Sequence, residues 1–297
     1  MKTISILHYD AFTEQPDKGN PAGIVLEGEK YTEEEMQKIA KDVGFNETAF
    51  VLRSDRADLK IRYFTPGHEV NLCGHATIAT IFALKTNGHL SEKVVFSIET
   101  KAGVLPIRIN QNKQSSPSII MKQVTPQFKE FKGSRHELAD VIGIKESDID
   151  EKHPILYGNT GLWTLLVPIK ELHVFSKMAV KNDLFPSILK EIPHASIHPF
   201  SLETYDVNAT MHGRHFSSPY SGTIEDPVTG TASGVMGAYY VTYVDEKWKN
   251  EPIIIEQGQE IGRDGRVTVL VAERKGQLDV EISGTAVFVK EFKLTIE

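Results

Sequence analysis

A pattern that occurs twice constrains the fold of this 297-residue chain more than any other feature. Its two copies are Arg62-Tyr63-Phe64-Thr65-Pro66, Glu69, Cys73-Gly74-His75-Ala76-Thr77 and Arg214-His215-Phe216-Ser217-Ser218-Pro219, Glu225-Asp226, Gly230-Thr231-Ala232-Ser233. Each copy has the order strand, proline turn, acidic residue and glycine-started helix, which predicts a duplicated unit. The alternative is a chance match between segments that are rich in glycine, alanine and threonine.

The two helices that follow the repeated pattern are apolar on every side. The first is predicted from about Gly74 to Gly88 and the second from about Thr229 to Tyr243, and charged side chains are almost absent before Lys85. A helix without a polar face is a buried helix. A chain of this length also exceeds the usual size of one domain. We therefore expect an α+β protein of two pseudo-symmetric lobes, each a β-barrel-like sheet wrapped around one central helix.

Alternating apolar residues predict many strands, whereas surface helices are few. The predicted strands are Thr3 to Leu7, Glu47 to Leu52, Leu59 to Phe64, Lys93 to Glu99, Val104 to Ile109, Thr164 to Val167, Ile253 to Ile255, Val267 to Val271 and Val287 to Leu294. Thr32 begins one helix with a Thr-Glu-Glu-Glu capping pattern, and Gly44 ends it.

A polar stretch from Asn110 to Ser118 is the best candidate for a linker between the lobes. The predicted lobes are residues 1–115 and residues 116–284. The last strand, at about residues 285–297, is predicted to return to the first lobe.

Composition argues against several classes of function. The net charge is -7, and no basic run is longer than short stretches such as Lys247-Trp248-Lys249, so nucleic acid and anionic membrane are poor partners. His8 and Asp10 interrupt the apolar N-terminus, which predicts a first strand in a cytoplasmic protein. Cys73 is the one cysteine, so neither an internal disulfide nor a cysteine-based metal cage can form.

The glycines at the two helix starts suggest an anion site. If Gly74 and Gly230 faced a common cleft, unpaired main-chain N–H groups and two positive helix ends would meet there. The alternative is that both are ordinary turn glycines.

Three polar side chains near these helices are candidates for chemistry. Glu47 shares a predicted strand face with Phe45, Ala49 and Val51, where a carboxylate must be paired or have its pKa raised, as suits a general acid/base. A strand-end glutamate in solvent is the alternative. His75 suits a neutral hydrogen-bonding role, and Asp226 suits either a site or a helix cap.

Four further histidines lie close together in the sequence. His194, His198, His212 and His215 lack a carboxylate partner on one helix, so they are interpreted as surface or loop residues rather than as a metal site.

Several motifs together resemble one known family. They are Gly19-Asn20-Pro21-Ala22-Gly23, Asn46-Glu47-Thr48-Ala49-Phe50-Val51, Cys73-Gly74-His75-Ala76-Thr77, Glu225-Asp226-Pro227-Val228-Thr229-Gly230-Thr231-Ala232-Ser233-Gly234, Gln257-Gly258 and Gly262-Arg263. In this order they resemble the signatures of the PhzF-like isomerases of phenazine biosynthesis. The resemblance spans essentially the whole chain.

This resemblance implies a diaminopimelate-epimerase-like fold with the active site between the lobes. It implies that Glu47 transfers a proton between carbons of a small carboxylated, amino-acid-like or cyclic metabolite, without a metal or organic cofactor. The residues that match substrate-binding positions are Asn20, Gly74, His75, Asp226, Gly230 and Thr231.

Two other functions remain open at the level of sequence. Related epimerases use two cysteines, one from each half, whereas here Cys73 stands in the first half and Asp226 takes the corresponding place in the second. An epimerase or racemase that uses Cys73 and Asp226 is therefore the second hypothesis. A non-catalytic ligand-binding protein on this scaffold is the third, since fold does not fix function. A homodimer would be an ordinary assembly for such a chain.

Overall fold

The computed structural model describes residues 2–90, 93–111 and 116–296. The chain forms two compact units: unit 1 is Met1–Met121 with Ser283–Glu297, and unit 2 is Lys122–Ile282. The predicted linker includes residues 112–115, which lie outside the described residues, and so does the predicted boundary after residue 115.

Strands predominate in both units. The strands are β1 Lys2–Ala11, β2 Asn20–Val25, β3 Glu47–Leu52, β4 Leu59–Phe64, β5 Glu69–Val70, β6 Val95–Thr100, β7 Gly103–Asn110, β8 Ser118–Lys122, β9 Gln127–Glu130, β10 Leu156–Asn159, β11 Trp163–Pro168, β12 Ser196–Ser201, β13 Met211–Gly213, β14 His215–Phe216, β15 Glu225–Asp226, β16 Pro252–Gln257, β17 Gly265–Arg274, β18 Gln277–Gly284 and β19 Ala286–Ile296. The α-helices are α1 Glu33–Val43, α2 Gly74–Thr86, α3 Arg135–Ile142, α4 Phe185–Ile188 and α5 Gly230–Tyr239. Every strand predicted from alternation is present.

Local sequence signals explain the ends of the surface helices. The Thr32 hydroxyl accepts a hydrogen bond from the Glu35 amide, and the Glu35 carboxylate accepts one from the Thr32 amide, as the capping pattern predicts. Gly44 ends α1 in the left-handed region, with φ 73°. Helix α3 was not predicted, although the Ser134 hydroxyl accepts from the Glu137 amide at its start and Gly143 ends it.

In unit 1 a sheet surrounds the central helix α2. Its strand order is β19-β1-β2-β3-β4-β6-β7-β8; the β2–β3 and β4–β6 pairs are parallel and the others antiparallel. Residues 75–84 of α2 are all buried, and α2 packs on β1, β2, β3 and β19. The opposite face of β3 and β4 packs on α1, where Phe50 and Phe64 meet Met36. The apolar character of α2 thus reflects contacts on all sides.

Unit 2 repeats this arrangement around α5. The order is β9-β10-β11-β12-β13-β16-β17, and the β11–β12 and β13–β16 pairs are parallel whereas the others are antiparallel. Nine of the ten residues of α5 are buried, and the helix packs on β10, β16 and β17. No helix in the described ranges is long and apolar enough to span a bilayer.

The repeated arginine and acidic residue make the same contacts in both units. Arg62 forms a two-pronged ion pair with Glu69, with N···O distances of 2.7 and 2.8 Å, and Arg214 does so with Glu225 at 2.9 and 2.6 Å. Each guanidinium also lies over the phenylalanine two residues further on. The shared strand order and shared contacts confirm the predicted duplication, and the molecule has the expected α+β, diaminopimelate-epimerase-like fold of two pseudo-symmetric lobes.

Candidate active site

Glu47 and His75 form an ion pair in unit 1. Glu47 is the first residue of β3, and His75 is the second residue of α2, so the packing of this helix on this strand brings the two side chains together. Glu47 Oε2 lies 3.1 Å from His75 Nε2. The Glu47 side chain is 19% exposed and that of His75 only 7%, so the pair is largely withdrawn from water while Glu47 retains access to it.

Asn20 and Cys73 hold the imidazole from its other side. The Asn20 amide nitrogen lies 3.1 Å from His75 Nδ1, and Asn20 is fully buried at the start of β2. Cys73 Sγ lies 3.5 Å from Nδ1 and 3.8 Å from Nε2 of the same ring. With Asn20 at Nδ1, the Nε2 edge of the ring faces Glu47. The structure therefore brings together four of the predicted residues, Asn20, Glu47, Cys73 and His75.

Burial and charge set the protonation of this group. Burial raises the pKa of the Cys73 thiol, and the nearby Glu47 carboxylate raises it further. Burial alone lowers the pKa of His75, but the Cys73 sulfur and the Glu47 carboxylate together outweigh it and hold that pKa well above its ordinary value. Cys73 is therefore a thiol near neutral pH, and with the Asn20 amide nitrogen at Nδ1 the other ring nitrogen, Nε2, is the one turned to Glu47 Oε2.

Within the described part of the chain, Glu47, Cys73 and His75 are the side chains close enough together to bind one metal ion. One ligand atom each from Glu47, Cys73 and His75 lies within 4.8 Å of the other two. Because Cys73 Sγ is almost equally far from both ring nitrogens, it lies over the flat of the imidazole and not in the plane of the nitrogen lone pairs. The three side chains lie together as a compact acid/base group, and the absence of a metal requirement stays a prediction.

Unit 2 places Asp226 beside the start of α5. The Thr229 hydroxyl donates to Asp226 Oδ2 at 2.6 Å, and Thr229 is the residue that precedes Gly230 at the start of the helix. Thr231 follows within the first turn. The structure thus groups the predicted residues Asp226, Gly230 and Thr231 around one turn of unit 2.

The central helices differ from the surface helices in how they begin. Thr32 and Ser134 cap α1 and α3 with side-chain hydrogen bonds, whereas Cys73 and Thr229, at the same position of α2 and α5, make no side-chain cap bond. The first N–H groups of α5 are therefore left to another acceptor, and in α2 the Cys73 sulfur approaches only that of Ala76. A Cβ placed on Gly74 would have no neighbouring atom within 4 Å, so the backbone there is open to a close approach.

The assignment of Asp226 to the place of Cys73 was wrong. Strand pairing sets Tyr63 opposite Val70 in unit 1 and His215 opposite Asp226 in unit 2, so Asp226 is the counterpart of Val70. The residue before the helix-start glycine, Cys73 in unit 1, is Thr229 in unit 2. The spacing in the sequence agrees with this register, since Cys73 follows Glu69 by four residues and Thr229 follows Glu225 by four.

The counterpart of Glu47 in unit 2 is a serine. Thr48 pairs with Phe64, and Ile197 pairs with Phe216, which makes Ser196 the counterpart of Glu47. Thr231 likewise stands where unit 1 has His75, since both follow the helix-start glycine. At these two corresponding positions, both among the described residues, unit 1 has a carboxylate and an imidazole and unit 2 has two hydroxyl groups.

The interpretation of the later histidines as surface or loop residues was wrong for three of them. His198, His212 and His215 lie on β12, β13 and β14, and His198 and His212 are fully buried. His212 pairs with Glu256 and Glu260, each at 3.1 Å, while His198 and His215 approach each other Nδ1 to Nδ1 at 3.1 Å. β13 and β14 have three and two residues, too few to show alternation, and the six residues of β12 are all buried, so that strand shows no alternation either.

Two residues of the α5 turn were not predicted as site residues. Thr229 binds Asp226, and Gln257 binds both Asp226 and Thr229 through its side-chain amide. Thr229 had a usable signal, since it precedes a helix-start glycine as Cys73 does. Gln257 belongs to a recognised motif, but it lies 28 residues from Thr229 in the sequence, so local patterns could not predict their contact.

Comparison with known proteins agrees with this geometry. The model of the PhzC-PhzF family, phenazine biosynthesis-like proteins, matches residues 9–292. The crystal structure of the Bacillus anthracis phenazine biosynthesis protein of the PhzF family is 59% identical, superposes with a TM-score of 0.97, and the match covers 100% of both chains.

Two curated relatives carry isomerase names. Uncharacterized isomerase YfhB of Bacillus subtilis strain 168 is 53% identical over 288 residues, 97% of each chain. The trans-2,3-dihydro-3-hydroxyanthranilate isomerase of Pseudomonas aeruginosa PAO1 is 28% identical over 279 residues, 93% of each chain.

Proposed function

The chain belongs to the PhzC-PhzF family of phenazine biosynthesis-like isomerases, and from this premise we propose that it moves a proton between two carbons of a small carboxylated metabolite with Glu47 as the acid/base. The observation that carries the proposal is the Glu47–His75 pair: a carboxylate held at 3.1 Å from an imidazole, mostly buried, beside an uncapped helix start.

In the proposed reaction, His75 donates from Nε2 to Glu47 Oε2 and so fixes the carboxylate. Oε1 of Glu47 then takes the proton from a substrate carbon, and the electron pair of the broken C–H bond enters the adjacent unsaturated system. The protonated Glu47, which is 19% exposed and can exchange its proton with solvent, then gives a proton to a different carbon, which restores the carboxylate. Atoms and charge balance within substrate and Glu47, so no metal or organic cofactor enters the proposal.

The uncapped helix starts support a carboxylated substrate. Main-chain N–H groups at the beginning of a helix bind anions, and the positive end of the helix dipole favours them. Gly74 in unit 1 and Gly230 with Thr231 in unit 2 are the proposed anion-binding positions. We further assign Asn20, His75 and Asp226 to substrate binding, because His75 follows Gly74 in α2, Asn20 contacts His75, and Asp226 contacts Thr229 directly before Gly230.

The proposed reaction uses one acid/base residue, Glu47, whereas an epimerase needs two. Cys73 is the remaining candidate for a second base, but its raised pKa keeps it a thiol, and a thiol is a poor proton acceptor. The counterpart of Cys73 is Thr229, whose hydroxyl donates to Asp226. We therefore place the epimerase that uses Cys73 and Asp226 second.

The test compares Glu47→Gln with Cys73→Ser. The substrate of the Pseudomonas aeruginosa relative, trans-2,3-dihydro-3-hydroxyanthranilate, is the first probe, and a chelator in the assay should leave the wild-type rate unchanged. Glu47→Gln keeps the shape of the side chain and removes the proton acceptor, so we expect kcat/KM to fall by about 10²–10⁴-fold. Cys73→Ser should stay within about threefold of the wild type.

Exchange of substrate hydrogen with deuterated solvent identifies the acid/base directly. The proposal expects exchange with Cys73→Ser and none with Glu47→Gln. The reverse result would establish Cys73 as the base and favour the epimerase, and full activity of Glu47→Gln would refute the proposal. Circular dichroism and thermal unfolding of both variants serve as controls for folding.

A further inference from the structure

The Gln257 side chain joins the end of β16 to the turn before α5. It is fully buried. Gln257 Nε2 donates to the Asp226 carbonyl oxygen at 2.7 Å, and Gln257 Oε1 accepts from the Thr229 amide at 3.2 Å. Nε2 also donates to Thr229 Oγ1 at 3.3 Å. One amide group thus contacts both ends of the Asp226–Thr229 turn.

These contacts dictate the direction of the Thr229 hydroxyl. Because Thr229 Oγ1 accepts from Gln257, its own proton points to another acceptor, and the Asp226 Oδ2 atom at 2.6 Å receives it. Threonine before a helix ordinarily turns its oxygen toward the N–H of the second or third helical residue. Here that cap is missing, so the amides of Thr231 and Ala232 donate no bond to Thr229 Oγ1.

Gly258 allows the end of β16 to lie close to the turn before α5. Its φ is +96°, and a Cβ built on it would lie 2.9 Å from the Pro227 carbonyl oxygen and closer still to that of Arg263. A side chain at this position would therefore push β16 away from the turn. The Gln257-Gly258 motif therefore has a physical explanation. The Gln257 amide reaches the turn only because Gly258 has no side chain.

Unit 1 supplies a natural comparison. Lys60 pairs with Glu99 as His212 pairs with Glu256, so Thr100 is the counterpart of Gln257. The Thr100 hydroxyl donates to the Gly103 carbonyl at 3.1 Å and accepts from the Ala102 amide at 3.2 Å, within its own hairpin. Gln257 of unit 2 therefore contacts the turn before its central helix, whereas these contacts of Thr100 lie within its own hairpin.

We propose that Gln257 is a positioning residue that keeps the start of α5 uncapped and fixes the Asp226 carboxylate for an anionic substrate group. It does so by holding the Thr229 hydroxyl on Asp226. This inference rests on the proposed function, in which Asp226 and the first turn of α5 bind substrate.

The first test is Gln257→Leu, which has a similar size and cannot hydrogen bond. The freed Thr229 hydroxyl should then turn to cap α5 and occupy the anion-binding groups. We expect KM for the dihydro-hydroxyanthranilate probe to rise at least about tenfold with kcat within about threefold, because Glu47 still moves the proton. Exchange of the Thr231 or Ala232 amide hydrogen, followed by NMR without substrate, should slow several-fold.

Gln257→Glu provides a rescue that depends on pH. As a carboxylate, the introduced side chain cannot donate to Asp226 or Thr229, whereas as a carboxylic acid it can donate one of the two bonds. We expect the KM defect of Gln257→Glu to shrink as pH is lowered, while that of Gln257→Leu does not change with pH. Thr100→Val is the matched control in unit 1 and should leave KM unchanged.

Different failures have different meanings here. Faster amide exchange at Thr231 and Ala232 with unchanged KM would show that Gln257 only stabilises the fold and would overturn the inference. If Glu47→Gln is inactive while Gln257→Leu has normal KM, the inference fails and the proposed function stands. If Glu47→Gln is fully active, the proposed function fails, and amide exchange still decides whether Gln257 diverts Thr229.

Discussion

At the scale of single residues, Cys73 shows how its surroundings decide what a side chain can do. It precedes a helix start, a position that can lower the pKa of a thiol and make it reactive. Here burial and the Glu47 carboxylate raise that pKa and outweigh His75 and the Ala76 amide, which lower it. The residue therefore packs over the His75 ring as a neutral thiol.

This environment predicts slow alkylation of Cys73. The thiolate is the reacting form, and the side chain is only 7% exposed, so iodoacetamide at about pH 7.5 should react at least about tenfold more slowly than with an unfolded control. Mass spectrometry over time measures the rate. The rate should keep rising as the assay is made more alkaline, whereas rapid alkylation at neutral pH would point to a low-pKa thiol and revive the epimerase.

At the scale of elements, the helices divide by how their first turn is satisfied. The surface helices α1 and α3 satisfy first-turn N–H groups locally, with Thr32 and Ser134. The central helices α2 and α5 do not use the side chain at the same position. A helix that must present N–H groups to a ligand cannot also commit them to its own cap.

Thr32→Ala should therefore destabilise the protein by about 1 kcal/mol, since it removes the acceptor for the Glu35 amide. Urea denaturation measures the free energy of unfolding. Thr32→Ser keeps the oxygen, and serine caps at least as well as threonine, so its free energy of unfolding should stay within a few tenths of a kcal/mol of the wild type. Equal losses for alanine and serine would mean that the cap contributes nothing. Activity should not change in either variant, because α1 lies on the face of the sheet opposite α2.

At the scale of the whole molecule, duplication gave two scaffolds with different interiors. Unit 1 has Tyr63 beneath α2, with its hydroxyl 2.6 Å from Thr77 Oγ1. Unit 2 has His215 at that place, and His198 stands where unit 1 has Ala49. Two imidazoles thus fill the space that one tyrosine and one alanine fill in the other unit.

The histidine pair predicts an acid-sensitive unit 2. Burial lowers the pKa of His215 to about 4, although Asp226 opposes this, and burial holds the pKa of His198 well below its ordinary value. In the unfolded chain both titrate near about pH 6.5. The unfolded state therefore binds more protons between about pH 6.5 and about pH 4, and stability falls as pH falls through this range, for His215 by up to about 3 kcal/mol.

The double variant His198→Ala/His215→Tyr tests this by copying unit 1. Its new tyrosine should reach Ser233, the counterpart of Thr77, and occupy the space of both imidazoles. We expect the slope of unfolding free energy against pH, between about 6.5 and about 4, to become shallower than in the wild type. Urea denaturation at several pH values measures it, and an unchanged slope would show that other groups cause the acid sensitivity.

The sequence by itself determined nine of the strands, the helices α1, α2 and α5, and the duplication. Long alternating strands, the Thr32 cap and the two apolar helices are local patterns whose physical cause acts over a few residues, so they were predicted with their approximate ends. The nature of the site residues was also accessible, since Glu47 and His75 belong to motifs that occur in a characteristic order along the chain. The short strands β13, β14 and β15 contain too few residues to show a period.

Only the tertiary structure decided which residues meet. The pairing of Glu47 with His75, and the bridge from Gln257 to Asp226 and Thr229, join segments that are distant in the chain. Strand register also showed that Asp226 corresponds to Val70 and not to Cys73, because hydrogen-bonded partners fix the alignment of the two units. The burial of His198, His212 and His215 could not be predicted either, because the exposure of a side chain depends on what packs against it in the folded molecule.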